Sequence, residues 1–67
     1  PRLTRRQLDV VRCAAQGMSN EEIAGRLFIT PSTVRKHLEN TYARLGVTSR
    51  TAAVTRVFGE ADQLALR

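Results

Sequence analysis

Sixty-seven residues make one small domain, near the lower limit at which a core folds without a metal or a disulfide. The single cysteine, Cys13, excludes an internal disulfide, the lack of a Cys/His cluster argues against a zinc site, and no run reaches the ~18 apolar residues of a membrane span. Ten arginines and one lysine against six acids leave a net charge of +5, a balance that favours a polyanionic partner.

Along the chain, Leu3 precedes Thr4, whose hydroxyl suits a helix N-cap with Gln7 as its capping-box partner. The first helix is predicted over 5–16 and closed by Gly17 at the C′ position. Val10, Val11 and Ala14 form its apolar side, with Gln7 near the same side in the first turn. Leu8 falls off that stripe, so it is either exposed or covers a neighbour outside this chain. Cys13 reads as a small core or boundary residue, a reduced thiol, because nothing near it in the sequence marks it as reactive. Met18 is placed to staple the next helix, which Ser19 and Glu22 open as an S-x-x-E capping box.

The second helix is predicted over 20–27, with Ile23, Ala24 and Leu27 on its apolar side. Ala24 is small where another helix must cross closely. Phe28 and Ile29 are expected to supply apolar contacts in the turn, Phe28 standing where helix-turn-helix units often have glycine.

Thr30 then caps a third helix predicted over 31–45, with Pro31 at the first position, where its missing N–H costs nothing. Val34, Leu38, Thr41 and Leu45 recur at i, i+4, i+7, i+11, the spacing of a buried stripe. The opposite side gathers Ser32, Arg35, Lys36, Glu39, Asn40 and Ala43. A helix held along one stripe, with short polar and cationic groups in its first turns, suits reading of a DNA major groove. Arg35, Lys36, Arg44 and Arg50 lie in or just after this helix, and only Glu39 opposes them there.

Gly46 is a C′ glycine, Val47 returns the chain to the core, and Ser49 or Thr48 caps a fourth helix predicted over 50–58 and stopped by Gly59. Its apolar arc is wide, with Ala53 and Val57 on one side and Val54 and Phe58 on the other. The tail can add a helical turn or two around Leu64 and Leu66. With no strand-like alternation and no repeats, the fold class is all-α: a four-helix bundle containing a helix-turn-helix. No nucleophile–base pair, glycine-rich phosphate loop or metal constellation is present. An enzyme, a cofactor, a metal and a small-molecule ligand of this domain are therefore not expected.

The residue order resembles the LuxR-type (GerE-like) C-terminal DNA-binding domain of bacterial transcription regulators. Leu3-Thr4-Arg5-Arg6 matches the family's L-T-x-R start. Ala15, Gly17, Ser19, Asn20, Glu22, Ile23 and Ala24 match A-x-G-x-S-N-x-E-I-A. Thr33, Val34, Arg35, His37, Asn40, Arg44, Leu45, Gly46 and Val47 match its reading helix, and Ser49, Arg50, Ala53 and Val54 the segment after it. Gln7 departs from the usual glutamate, keeping the capping geometry without the charge, and Thr41 from the usual Ile or Val of the buried stripe.

The resemblance implies a helix-3 reader of double-stranded DNA and a homodimer formed on DNA through helix 4. Arg35, Lys36, Glu39 and Ser32 are the expected base-reading residues. Ser19, Asn20, Thr33, His37, Asn40, Arg44 and Arg50 are the expected phosphate contacts, and Ala53, Val54, Val57 and Phe58 the expected dimer surface. The chain, which opens on Pro1, is expected to be a single domain over 1–67, the C-terminal piece of a longer cytoplasmic regulator, with no membrane contact. A sigma-factor-like promoter reader and a helical protein-interaction module are the alternatives. The Ser19–Ala24 and Thr33–Val47 motifs speak against the first, and the cationic face of helix 3 against the second.

Overall fold

A computed structural model describes residues 2–65, with side chains described for 2–59. Four helices follow in order: α1 (Arg5–Ala15), α2 (Asn20–Leu27), α3 (Pro31–Leu45) and α4 (Arg50–Ala65). The architecture is all-α, and the first three helices begin and end within a residue of their predicted bounds. Local chemistry explains that agreement. At Thr4 and Ser19 the capping boxes close reciprocally: the hydroxyls accept from the Gln7 and Glu22 amides, both at 3.1 Å. The Gln7 and Glu22 side chains accept in return from the Thr4 and Ser19 amides, at 2.9 and 2.7 Å. Thr30 Oγ1 accepts from the Thr33 amide at 3.2 Å, with Pro31 seated in the first turn.

The fourth helix differs from its expectation. It does not stop at Gly59 but continues to Ala65. Gly17 and Gly46 have φ of +82° and +70°, whereas Gly59 keeps a negative φ and is buried. A glycine ends a helix by turning left-handed, and one that stays right-handed costs the helix only about 1 kcal/mol relative to alanine. The added turn over Leu64 lies inside α4, but the side chain of Leu64 and all of Leu66 fall outside the described residues.

Val10, Cys13 and Ala14 of α1, Ile23 and Ala24 of α2, and Val34 and Leu38 of α3 share one core, with Met18, Leu27, Ile29, Tyr42 and Val54 packed against it. Each large aliphatic side chain buried there contributes roughly 1.5–3 kcal/mol. Val11, Leu45 and Ala53 are buried as well. Helix α1 is central, packing against all three others, and α3 packs against all three in turn. Among the described residues the remaining pair, α2 and α4, does not pack together. Leu8 is half-buried and lines a shallow groove with Leu3, Leu45 and Val57, so its neighbours come from this chain itself.

One turn residue behaves otherwise than expected. Phe28 makes no apolar contact worth the name: it is 94 % exposed and left-handed, at φ 59° and ψ 43°. Ile29 alone carries the turn's apolar contact.

Candidate nucleic-acid interface

The geometry of α3 follows from its stripe. Val34 and Thr41 are fully buried, and Leu38 and Leu45 nearly so. The Thr41 hydroxyl, the departure from an aliphatic pattern, is satisfied by donating to the His37 carbonyl at 2.7 Å, so its burial leaves nothing unpaired. Pinning that stripe forces Ser32, Arg35, Lys36, Glu39 and Asn40 outward, and all five are exposed. Among the described residues the only ion pair is Arg5–Asp9 at 3.6 Å, so neither cation is neutralised by Glu39.

Backbone donors complete this end of α3. Thr33 N–H is taken by Thr30 Oγ1, Val34 N–H by the Thr30 carbonyl, and Pro31 has none. Ser32 N–H is thus the open amide of the first turn, and no acid stands there to compete for the positive end of the helix dipole. The Thr33 hydroxyl lies 2.9 Å from that of Thr30, an exposed pair that can share one acceptor. His37 is half-buried, its carbonyl engaged by Thr41.

The start of α2 is arranged differently. Its capping box consumes the Ser19 and Glu22 amides and leaves those of Asn20 and Glu21 open. The Ser19 backbone N–H, and then its side chain, hold the Glu22 carboxyl below the usual carboxylate range. Asn20 is half-buried, and its Oδ1 accepts from Arg50 Nη2.

Two cations expected on phosphates are engaged within the protein. Arg44 Nη1 donates to the Arg2 carbonyl at 2.7 Å, which ties the N-terminal segment to the last turn of α3. Arg50 Nη1 donates to the Met18 carbonyl at 2.8 Å, beside its bond to Asn20. Neither partnership was legible beforehand: Arg2 and Met18 take part through backbone carbonyls, which every residue carries. The expected dimer surface is also unevenly available. Ala53 is 1 % exposed and belongs to its own domain's core, while Val54, Val57 and Phe58 are half-buried.

Among the described residues no helix is long and apolar enough to cross a membrane. The family model of bacterial regulatory proteins of the luxR family matches residues 1–57. The chain is 50 % identical over 52 residues to a Mycobacterium tuberculosis protein provisionally named as an HTH-type transcriptional regulator, covering 78 % of this chain and 6 % of that relative. It is 45 % identical over 56 residues to the nitrate/nitrite response regulator protein homolog of Haemophilus influenzae, covering 84 % of this chain and 27 % of the relative. The crystal structure of the response regulator ChrA of a heme-sensing two-component system superposes with a TM-score of 0.83 at 38 % identity, over 91 % of this chain and 30 % of that one. The chain therefore spans only a small part of the relatives it matches. Its four-helix architecture, its helix-turn-helix and the near-complete family match agree: the chain belongs to the luxR family of bacterial regulatory proteins, as a DNA-binding helix-turn-helix domain.

Proposed function

We propose that the domain is the sequence-reading output module of a longer bacterial transcription regulator, binding duplex DNA with α3 in the major groove and pairing two copies on DNA through α4. One observation carries the reading. The same helix is buried along its whole apolar stripe and presents Arg35, Lys36 and Glu39 exposed on its other side, without an ion pair among the described residues. Arg35 donates to guanine O6 and N7, Lys36 donates beside it, Glu39 accepts from a cytosine amine, and Ser32 reaches a base or a phosphate. Ser19 and Asn20 at the start of α2, Thr33, His37, Asn40 and Arg44 along α3, and Arg50 at the start of α4 serve as phosphate contacts or their supports, fixing the register of α3 in the groove.

The α4 contact rests on Val54, Val57 and Phe58, since Ala53 is buried behind them. A patch this small falls well below the ~1,200 Å² of stable complexes, so free domains are monomeric and pair on adjacent half-sites.

The test uses duplexes selected from a random pool by the domain itself, beside mixed-sequence duplex. Arg35→Ala is expected to cost about 1–3 kcal/mol on the selected site and to relax preference at one base pair. Equal loss on selected and mixed DNA would remove Arg35 from base reading. For the parent, log K is expected to fall linearly with log[salt], by about 0.9 per phosphate neutralised, and a flat response would exclude duplex DNA as the partner.

A further inference from the structure

Among the described residues α2 and α4 do not pack against each other, yet one side chain spans them. From the first turn of α4, the Arg50 guanidinium donates through Nη1 to the Met18 carbonyl and through Nη2 to Asn20 Oδ1. These acceptors flank Ser19 on either side, so the fork of one arginine grips the entry to α2 at two points. A lysine has no such planar fork.

The consequence lies in the carboxamide. Asn20 has an acceptor oxygen and a donor NH2 on opposite sides of one carbon. With the guanidinium on one side, the oxygen must turn toward it, because the opposite orientation would set donor against donor. The NH2 is thereby turned away from Arg50. It makes no hydrogen bond among the described residues, and no buried side-chain nitrogen or oxygen there lacks a partner, so the NH2 reaches solvent. A donor locked outward in this way costs little ordering entropy when an acceptor arrives.

We propose that Arg50 is a positioning residue for DNA binding, which acts by locking the Asn20 carboxamide with its NH2 outward to donate to a DNA phosphate. This rests on the reading of Asn20 as a phosphate contact, and it changes the role of Arg50 from grip to support.

The experiment measures affinity for a mixed-sequence duplex by fluorescence anisotropy, since phosphate contacts are independent of sequence. Thermal unfolding by circular dichroism is followed in parallel. Asn20→Ala is expected to weaken binding about tenfold. Arg50→Lys keeps the charge but cannot hold both acceptors, and it is expected to weaken binding by a similar factor. In the double variant the second change should add almost nothing, because it acts through a group already gone. Asn20→Asp keeps an oxygen for Arg50 and suits a helix start, so its unfolding midpoint should equal or exceed the parent's while binding falls by more than tenfold. Losses that multiply in the double variant would overturn the role of Arg50 while leaving Asn20 a phosphate contact. Unchanged binding in Asn20→Ala would overturn that contact and the role of Arg50 together. A lowered midpoint in Asn20→Asp would show that the NH2 makes a stabilising hydrogen bond within the protein instead of facing solvent, and would equally overturn the proposal.

Discussion

The turn that leaves α2 and the turn that leaves α3 are built alike from unlike residues. Leu27-Phe28-Ile29-Thr30 and Leu45-Gly46-Val47-Thr48 both carry a left-handed second residue, Phe28 at φ 59° and Gly46 at φ 70°. In each, the next amide reaches back across the turn, Ile29 to the Ala24 carbonyl and Val47 to the Tyr42 carbonyl, both at 3.0 Å. Both then carry a half-buried apolar residue, Ile29 or Val47, and start a new helix from a Ser/Thr cap, Thr30 in one and Ser49 in the other. The path of the chain therefore sets the backbone conformation, whatever residue occupies the position. Glycine adopts it freely, whereas an L-residue carries a strain of roughly 1–2 kcal/mol. Phe28, 94 % exposed, gains no burial to offset it.

The largest effect expected from this comparison is at Gly46. A Cβ there would meet no atom within 4 Å, so Gly46→Ala tests conformation alone and should cost roughly 1–2 kcal/mol in urea unfolding. A cost near zero would mean that the two turns do not share one constraint. Next come the caps that follow each turn. Thr30→Ala and Ser49→Ala should each lose about 1 kcal/mol, because each hydroxyl accepts one amide, Thr33 at 3.2 Å and Ala52 at 3.1 Å. The two losses should add when combined, since the caps share no partner.

Phe28→Gly should move the other way. Relief of the left-handed strain, less the greater freedom of an unfolded glycine, leaves a gain of up to about 1 kcal/mol. A loss instead of a gain would show that the ring makes a stabilising contact and would break the comparison.

The smallest effect lies at the opposite end of α2, where Glu22 is fully exposed. Its folded carboxyl titrates below the ordinary carboxylate value, held there first by the Ser19 backbone N–H. The sign follows: the stabilisation is complete above the unfolded carboxylate value and is lost as the pH falls through the folded one. Glu22→Gln keeps the capping geometry without the charge, so its melting temperature should fall less steeply than the parent's on acidification. Parallel curves would leave the carboxylate without a role in stability.

Much of this was legible beforehand, and for local reasons. A capping box spans three residues, a buried stripe repeats within one helix, and a proline at N1 acts on its own turn. The sequence by itself therefore determined four helices, three of them to within a residue, and which side of α3 would be buried and which exposed. The tertiary structure decided what depends on partners distant in the chain. It set Gly59 inside a continuing helix and drew Ala53 into the core. It turned Phe28 to solvent and gave Arg50 two acceptors 30 and 32 residues away. Glycine permits a helix to end without requiring it, and an arginine's charge is written in the sequence while its acceptors are not. Where residue identity leaves several outcomes nearly equal in energy, the packing of the whole domain chooses among them.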